Sequence, residues 1–248
     1  MKFHLALLTL TLLACSAPSE ETSTQTSFNQ ATLEAIKKMP QGGGYSGSDA
    51  TKNKLPLACV AKPAGLSFSL KSAQPSFCSG ATYLALLHAL DQTQSLSQTD
   101  AQLLVVALDQ KDGQGLFGRW NANGPGCAKL VADLGCGQNF TSWDKAQPGD
   151  FLKIWWTDKI GGQERGHHVV YLSHNETSVR YWSSNQPNGY GEKTIPRSDC
   201  KRVLFSRITA PQKFNQISNL PPSDPWLERM LRDDFTWSEV KLKCQVQE

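Results

Sequence analysis

An excess of charge of one sign is nearly absent from this sequence: 25 lysines and arginines stand against 22 aspartates and glutamates in 248 residues, a formal net charge of +3. So small an excess gives no electrostatic reason to bind nucleic acid; it is compatible with an anionic polymer without demanding one. Metal-ligand spacings are missing too. Neither C-x-x-C nor H-E-x-x-H occurs, and Cys127 and Cys136 lie too far apart for half of a zinc knuckle, so neither a metal nor a cofactor is expected. The glycine run Gly42-Gly43-Gly44 has no strand before it and no Gly-Lys-Ser/Thr after it, which argues against a phosphate-binding loop and for a loop near the mouth of a site. Beyond the first residues no segment is apolar enough to span a bilayer.

What is there begins at the N-terminus. Met1-Lys2-Phe3-His4 precedes an apolar run from Leu5 to Leu13, and the run ends in Ala14-Cys15-Ser16, the charged, apolar and small-residue regions of a secretory signal. Cysteine directly after Leu-Ala resembles a bacterial lipobox, which implies residues 1–15 as a signal with cleavage before Cys15 and lipidation of that thiol. Such a protein would meet the membrane only through its lipid. Ser16 rather than aspartate after the cysteine resembles Gram-negative lipoproteins of the outer membrane, implying an envelope protein facing the periplasm. Residues 16–30 are serine, threonine, glutamate, glutamine and proline with few apolar side chains, a tether. Residues 31–248, in a chain 39% hydrophobic, are enough for one domain with its own core.

Helical patterns fill the first half. Ala31 to Ile36 reads as a short helix; Thr99-Asp100 caps a second through Leu108; Gly124-Pro125-Gly126-Cys127 opens a third that Gly135 ends. The texture then changes to strands: 151–156 after the turn Gln147-Pro148-Gly149-Asp150, then 166–172, 178–183 and 203–208. A proline-marked connection and a closing helix near Trp226–Leu231 finish the chain. Helices followed by an antiparallel meander is an α+β plan.

The stretch that carries chemistry is Gln74-Pro75-Ser76-Phe77-Cys78-Ser79-Gly80, followed by apolar residues at helical spacing. Cys78 falls in the first turn of that helix, where unpaired backbone N–H groups and the helix dipole favour thiolate, the nucleophilic form. Such a nucleophile needs a base and a group to orient the base. Of five histidines, His4 lies in the signal, His88 on the apolar side of the cysteine helix and His174 in a turn. His167 and His168 remain, on opposite faces of one strand, so only one can face the cysteine. Both faces carry apolar neighbours, and periodicity does not choose between them. On the next strand Tyr181, Ser183 and Asn185 share one face, with Ser184 and Gln186 opposite; Asn185 can accept from an imidazole N–H and is the candidate third member.

Cys78 in Ser-Phe-Cys-Ser-Gly-Ala-Thr-Tyr, then Pro148-Gly149-Asp150-Phe151-Leu152, then Gly166-His167-His168-Val169-Val170-Tyr171-Leu172 resembles the order of motifs in papain-fold cell-wall hydrolases of the CHAP and NlpC-like type. The resemblance covers about Gln74 to Ile208. It implies a papain-like fold, a monomeric cysteine peptidase or amidase without cofactor, and peptidoglycan or a muropeptide as the partner. The histidine directly before valine is the base in that family, which maps onto His168. The usual glutamate two residues before the asparagine is replaced by Ser183. Substrate contacts are expected from Gln74 as a second oxyanion donor, from Trp156 and Trp182 as cleft aromatics, and from Arg165 as a partner for a stem-peptide carboxylate.

With Cys15 lipidated and Cys78 reactive, Cys59, Cys127, Cys136, Cys200 and Cys244 remain, for which two disulfides and one buried thiol are expected. Two other readings compete. One is an envelope protein that keeps the scaffold for binding, with Cys78 in a disulfide; the other is an amidase or acyltransferase acting on a different substrate.

Overall fold

A computed structural model of the chain describes residues 27–107, 110–122, 124–162, 164 and 166–248. The expected signal, the lipidated Cys15, most of the tether and Arg165 lie outside the described residues. No helix among the described residues is long and apolar enough to cross a membrane.

Ser27 caps α1 (Phe28–Lys38) by accepting from the Gln30 N–H at 3.2 Å, so the first helix is longer than the Ala31 to Ile36 stretch expected. The glycine run gives a two-residue strand, β1 (Gly42–Gly43), followed by two single-turn helices, α2 (Asp49–Lys52) and α3 (Leu55–Ala58). A hairpin of β2 (Cys59–Lys62) and β3 (Gly65–Phe68) leads to α4 (Cys78–Thr93). Next come α5 (Gln98–Leu104), α6 (Gly115–Asn121) and α7 (Gly126–Leu134), the last closed by Gly135 in the left-handed conformation at φ 56°. Six strands follow: β4 (Gly137–Phe140), β5 (Phe151–Trp155), β6 (His167–His174), β7 (Ser178–Asn185), β8 (Gly189–Pro196) and β9 (Arg202–Ile208). The chain ends in α8 (Pro225–Glu228), α9 (Trp237–Lys243) and β10 (Val246–Gln247).

The α+β class expected from the sequence is present, with two differences in detail. The eight-stranded sheet, ordered β1-β8-β7-β6-β5-β9-β4-β10, is mixed rather than wholly antiparallel, because β10 runs parallel to β4. The closing helix is two short helices. The sequence pattern also missed α6 and β8. Glycine hides both: Gly118 lets α6 pass the Lys111 carbonyl, where an added Cβ would sit 2.1 Å from the oxygen. Gly189, at φ 88°, opens β8 against β1, where a Cβ would meet the Gly42 carbonyl at 2.3 Å.

Helix α4 organises the core. Its residues from Gly80 to Leu87, with Ala89 and Leu90, are buried, so it packs on every side, as a helix wrapped by a domain does. Each fully buried leucine contributes about 1.5–3 kcal/mol by leaving water. Phe151, Val170 and Trp182 of the sheet meet it on one face. Leu152, Ile154, Val169, Tyr181 and Phe205 form a second apolar layer on the other. Both faces of β5, β6 and β7 are therefore buried.

The aspartate of the Pro-Gly-Asp turn has a structural task. Asp150 is fully buried and accepts from Arg207 at 2.7 and 2.8 Å, from the Asn29 amide at 2.8 Å and from the Gln147 N–H at 2.8 Å. It ties α1 and β9 to the entry of β5.

Two disulfides do not form. Cys59, Cys78, Cys127, Cys136, Cys200 and Cys244 are all free thiols. Cys59, Cys127, Cys136 and Cys244 serve as small apolar side chains in the core clusters.

Candidate active site

Cys78 is the first residue of α4, after Phe77 in an extended N-cap conformation, and is half-buried as a residue. The preceding segment is held in place by a buried bond of 2.7 Å from the Ser76 hydroxyl to the Ser184 hydroxyl on β7. Thr82, one turn further along, donates to the Cys78 carbonyl at 3.1 Å. The helix terminus is thus pinned above the start of β6.

Pairing across the sheet sets which histidine does what. Lys153 lies opposite His168, and Ile154 opposite His167. His168 turns toward α4, where its Nδ1 meets the Thr82 hydroxyl at 2.7 Å and its ring packs against Trp120 and Phe151. Burial, with the charges of Lys153 and His167 added, holds its pKa well below the ordinary histidine value. A ring so enclosed stays neutral and is badly placed to accept a proton.

His167 is the histidine that meets the sulfur. Its side chain and its charge, together with the His168 backbone N–H, lower the pKa of the Cys78 thiol. On its other side His167 Nε2 lies 3.1 Å from Asn185 Oδ1. The Asn185 amide is itself oriented: its Nδ2 donates to the Gly191 carbonyl at 2.9 Å and to the Ser183 carbonyl at 3.3 Å. With the NH₂ group committed there, Oδ1 must face the ring, so Nε2 carries the hydrogen and Nδ1 is the basic nitrogen of the neutral imidazole. The expectation that His168 faces Cys78 is therefore corrected, and the alternative that periodicity left open is the one adopted. Asn185 stands where expected, on the face of Tyr181.

The electrostatics of the thiol are a contest. Burial pushes its pKa up, but the His167 hydrogen bond and charge, the His168 N–H and the charge of Lys153 together outweigh burial and bring it down to about 6.

A cavity of about 320 Å³ opens beside His167, lined by Tyr45, Trp156, His167, Tyr181, Asn185 and Lys193 among others. Trp156 stacks on the imidazole at 6.2 Å between centroids, and Tyr181 meets it edge-on at 5.5 Å. Trp156 thus lies in the cleft as expected. Trp182 does not: it is 2% exposed, on the α4 face, and packs against Tyr190 in the core. Tyr181, one residue earlier, takes the cleft position. Gln74 lies with its Nε2 at 3.4 and 3.5 Å from the carbonyls of Gln41 and Gly42 and so braces the glycine segment. That segment brings Tyr45 to the cleft, paired with Ser76. On the other side of the helix terminus, Ser79 donates to Asn121 at 2.6 Å, and Asn121 also lines a second cavity of about 850 Å³ with Asp49, Lys52, Val106 and Arg232. Among the described residues no three histidine, cysteine, aspartate or glutamate side chains converge as a metal site requires.

Comparison of the chain with models of known protein families, with curated proteins and with solved structures finds no match to any of them. What the site can do must be argued from its own groups: a thiol with a lowered pKa, a ring nitrogen to take its proton, an amide to hold the ring, and a helix terminus whose first N–H groups have no acceptor within the helix.

Proposed function

We propose that the protein is a cysteine hydrolase of papain-like design that cleaves an amide bond of envelope peptidoglycan, with Cys78, His167 and Asn185 as its catalytic group. The observation that carries this reading is the placement of His167 between the Cys78 thiol and the Asn185 amide oxygen. Cys78 thiolate attacks the carbonyl carbon, and the C=O pair moves onto oxygen, where helix-terminal N–H groups stabilise it. Collapse of that adduct breaks the C–N bond, and the departing amine takes the proton that His167 received from the thiol. The thioester is then attacked by water, whose proton passes to His167, and the thiolate leaves as the acid forms. The Asn185 oxygen holds the ring throughout and accepts from Nε2 whether the ring is neutral or protonated.

The free Cys78 thiol weighs against the reading in which this cysteine is locked in a disulfide. The choice of peptidoglycan rests on the resemblance in motif order and on the envelope address implied by the N-terminus. Digestion of purified sacculi is the test. The wild type is expected to release fragments with new amine and carboxyl ends, and Cys78→Ala to release none while unfolding at the same temperature. Release undiminished in Cys78→Ala would exclude the mechanism; no release by the wild type, together with a reactive Cys78, would exclude the substrate only.

A further inference from the structure

Strand β5 reads Phe-Leu-Lys-Ile-Trp, and all five residues are buried. An apolar residue would suit the middle position by packing alone, because both faces of this strand are core and a buried ammonium costs several kcal/mol in lost hydration. Breaking the local rule in the central strand asks for a compensating role. Lys153 is 7% exposed and sits opposite His168, the residue whose backbone N–H helps to lower the pKa of the Cys78 thiol. Its Nζ lies 5.4 Å from the Trp155 ring, and an added Cβ on Gly166 would come within 3.1 Å of that nitrogen. The ammonium is therefore packed under the residue that leads into His167.

We infer that Lys153 is a positioning residue of the reaction, a buried cation that stabilises negative charge on the Cys78 sulfur both in the resting thiolate and when the thiolate leaves the thioester. The inference rests on the proposed thiol chemistry and adds a fourth member to it. The charged and titratable groups around Lys153 are Glu164 in the loop before β6, His167 and His168 on β6 and Cys78 on α4. Tyr181 on β7 also feels the charge of the sulfur. Glu164 is itself held by the Gly166 N–H at 2.7 Å and the Thr157 hydroxyl at 2.8 Å, so it acts as a fixed counter-charge to the lysine. Burial draws the lysine's own pKa down to about 8, against the pull of Cys78 and Glu164, so at neutral pH it is still charged. His167 gives up its proton during each turnover. Lys153 does not, and so its field at the sulfur is constant.

The test is the pH dependence of Cys78 alkylation by iodoacetamide, located by peptide mass spectrometry, in the wild type, Lys153→Met, Lys153→Arg and the double variant Lys153→Met/Glu164→Gln. The wild type is expected to show a midpoint well below that of a free thiol. Loss of the cation should raise the midpoint by about one pH unit, which is about tenfold less thiolate at a given pH below it. Lys153→Arg should keep most of the low midpoint, and kcat on the cleaved substrate should fall in Lys153→Met with KM little changed. The double variant covers the case in which Lys153→Met fails to fold because Glu164 is left without its counter-charge. A low wild-type midpoint that neither charge-removing variant moves would overturn the role of Lys153 and leave the proposed function standing. An ordinary thiol midpoint in the wild type would overturn both.

Discussion

His167 Nε2 faces Asn185 Oδ1 at 3.1 Å, while the next residue along the strand, His168, turns its Nδ1 to the Thr82 hydroxyl at 2.7 Å. Adjacent histidines thus divide two tasks. In the proposed mechanism the first exchanges a proton with Cys78; the second locks the first turn of α4 to β6. Substituting them should separate the tasks. His167→Ala should reduce kcat/KM by about a thousandfold or more, because it removes the proton acceptor and the hydrogen bond to the thiol together. His168→Gln should leave kcat/KM within about tenfold and instead lower stability by about 1–3 kcal/mol through the lost Thr82 contact and poorer packing against Trp120. Steady-state kinetics beside urea unfolding checks both, and the reverse pattern would make His168 the base.

Asn185→Ala should weaken turnover without removing it. The ring would lose the acceptor that fixes its tautomer and orientation, while Trp156 and Tyr181 would still flank it. A fall in kcat of about ten- to a hundredfold with little change in KM is expected, since the amide supports the transition state through the ring and does not hold substrate. Unchanged kcat would mean that the aromatic contacts alone position His167.

Much of this arrangement was legible in the sequence, and the exceptions have physical causes. Cys78 could be placed because the Pro-Ser break and the helical spacing after it are local signals. Asn185 could be placed because period two fixes its face on β7. The histidine could not, because β5, β6 and β7 are buried on both faces, so Val169 and Val170 are equally apolar and alternation loses its meaning. The same cause misassigned Trp182 to the cleft, where Tyr181 lies. Lys153 gave a readable signal that went unused: one cation in the middle of a strand that is otherwise all apolar. The free cysteines were missed for another reason, since counting them says nothing about whether their side chains approach one another.

Asp150 should prove a stability residue despite its place in a motif of functional appearance. It is fully buried and joins Arg207, Asn29 and the Gln147 backbone. Removing one side of a buried ion pair leaves the other charge poorly compensated. Asp150→Ala is expected to lower unfolding free energy by about 3–5 kcal/mol, whereas alkylation of Cys78 in the protein that remains folded should follow the wild-type pH profile. Urea unfolding measures the first and mass-resolved alkylation the second; a loss under about 1 kcal/mol would contradict the anchoring role.

The thiols should respond to pH in opposite ways. Burial raises Cys59 and Cys136 to about 12, with Asp91 adding to the effect at Cys59, and raises Cys127 and Cys244 higher still, while Cys78 is lowered to about 6. Near pH 7, brief iodoacetamide treatment of the native protein should therefore label Cys78 and spare those four. For an acid whose folded pKa lies above its unfolded value near 9, the stabilising contribution is complete below pH 9 and is lost as pH climbs toward 12. Each such thiol costs about 1.4 kcal/mol per pH unit across that window. Lys153 works the other way: its folded value of about 8 lies below the 10.5 of an unperturbed lysine, so it adds stability as pH rises between the two. Burial raises Cys200 too, to about 11, and one lysine against five thiols leaves a net decline above pH 9. Urea midpoints measured from pH 7 to 11 should fall steeply beyond pH 9. Replacing Cys59 and Cys136 with alanine should make that fall shallower even where it lowers the midpoint at pH 7; an equally steep fall in the double variant would trace the alkaline loss to other groups.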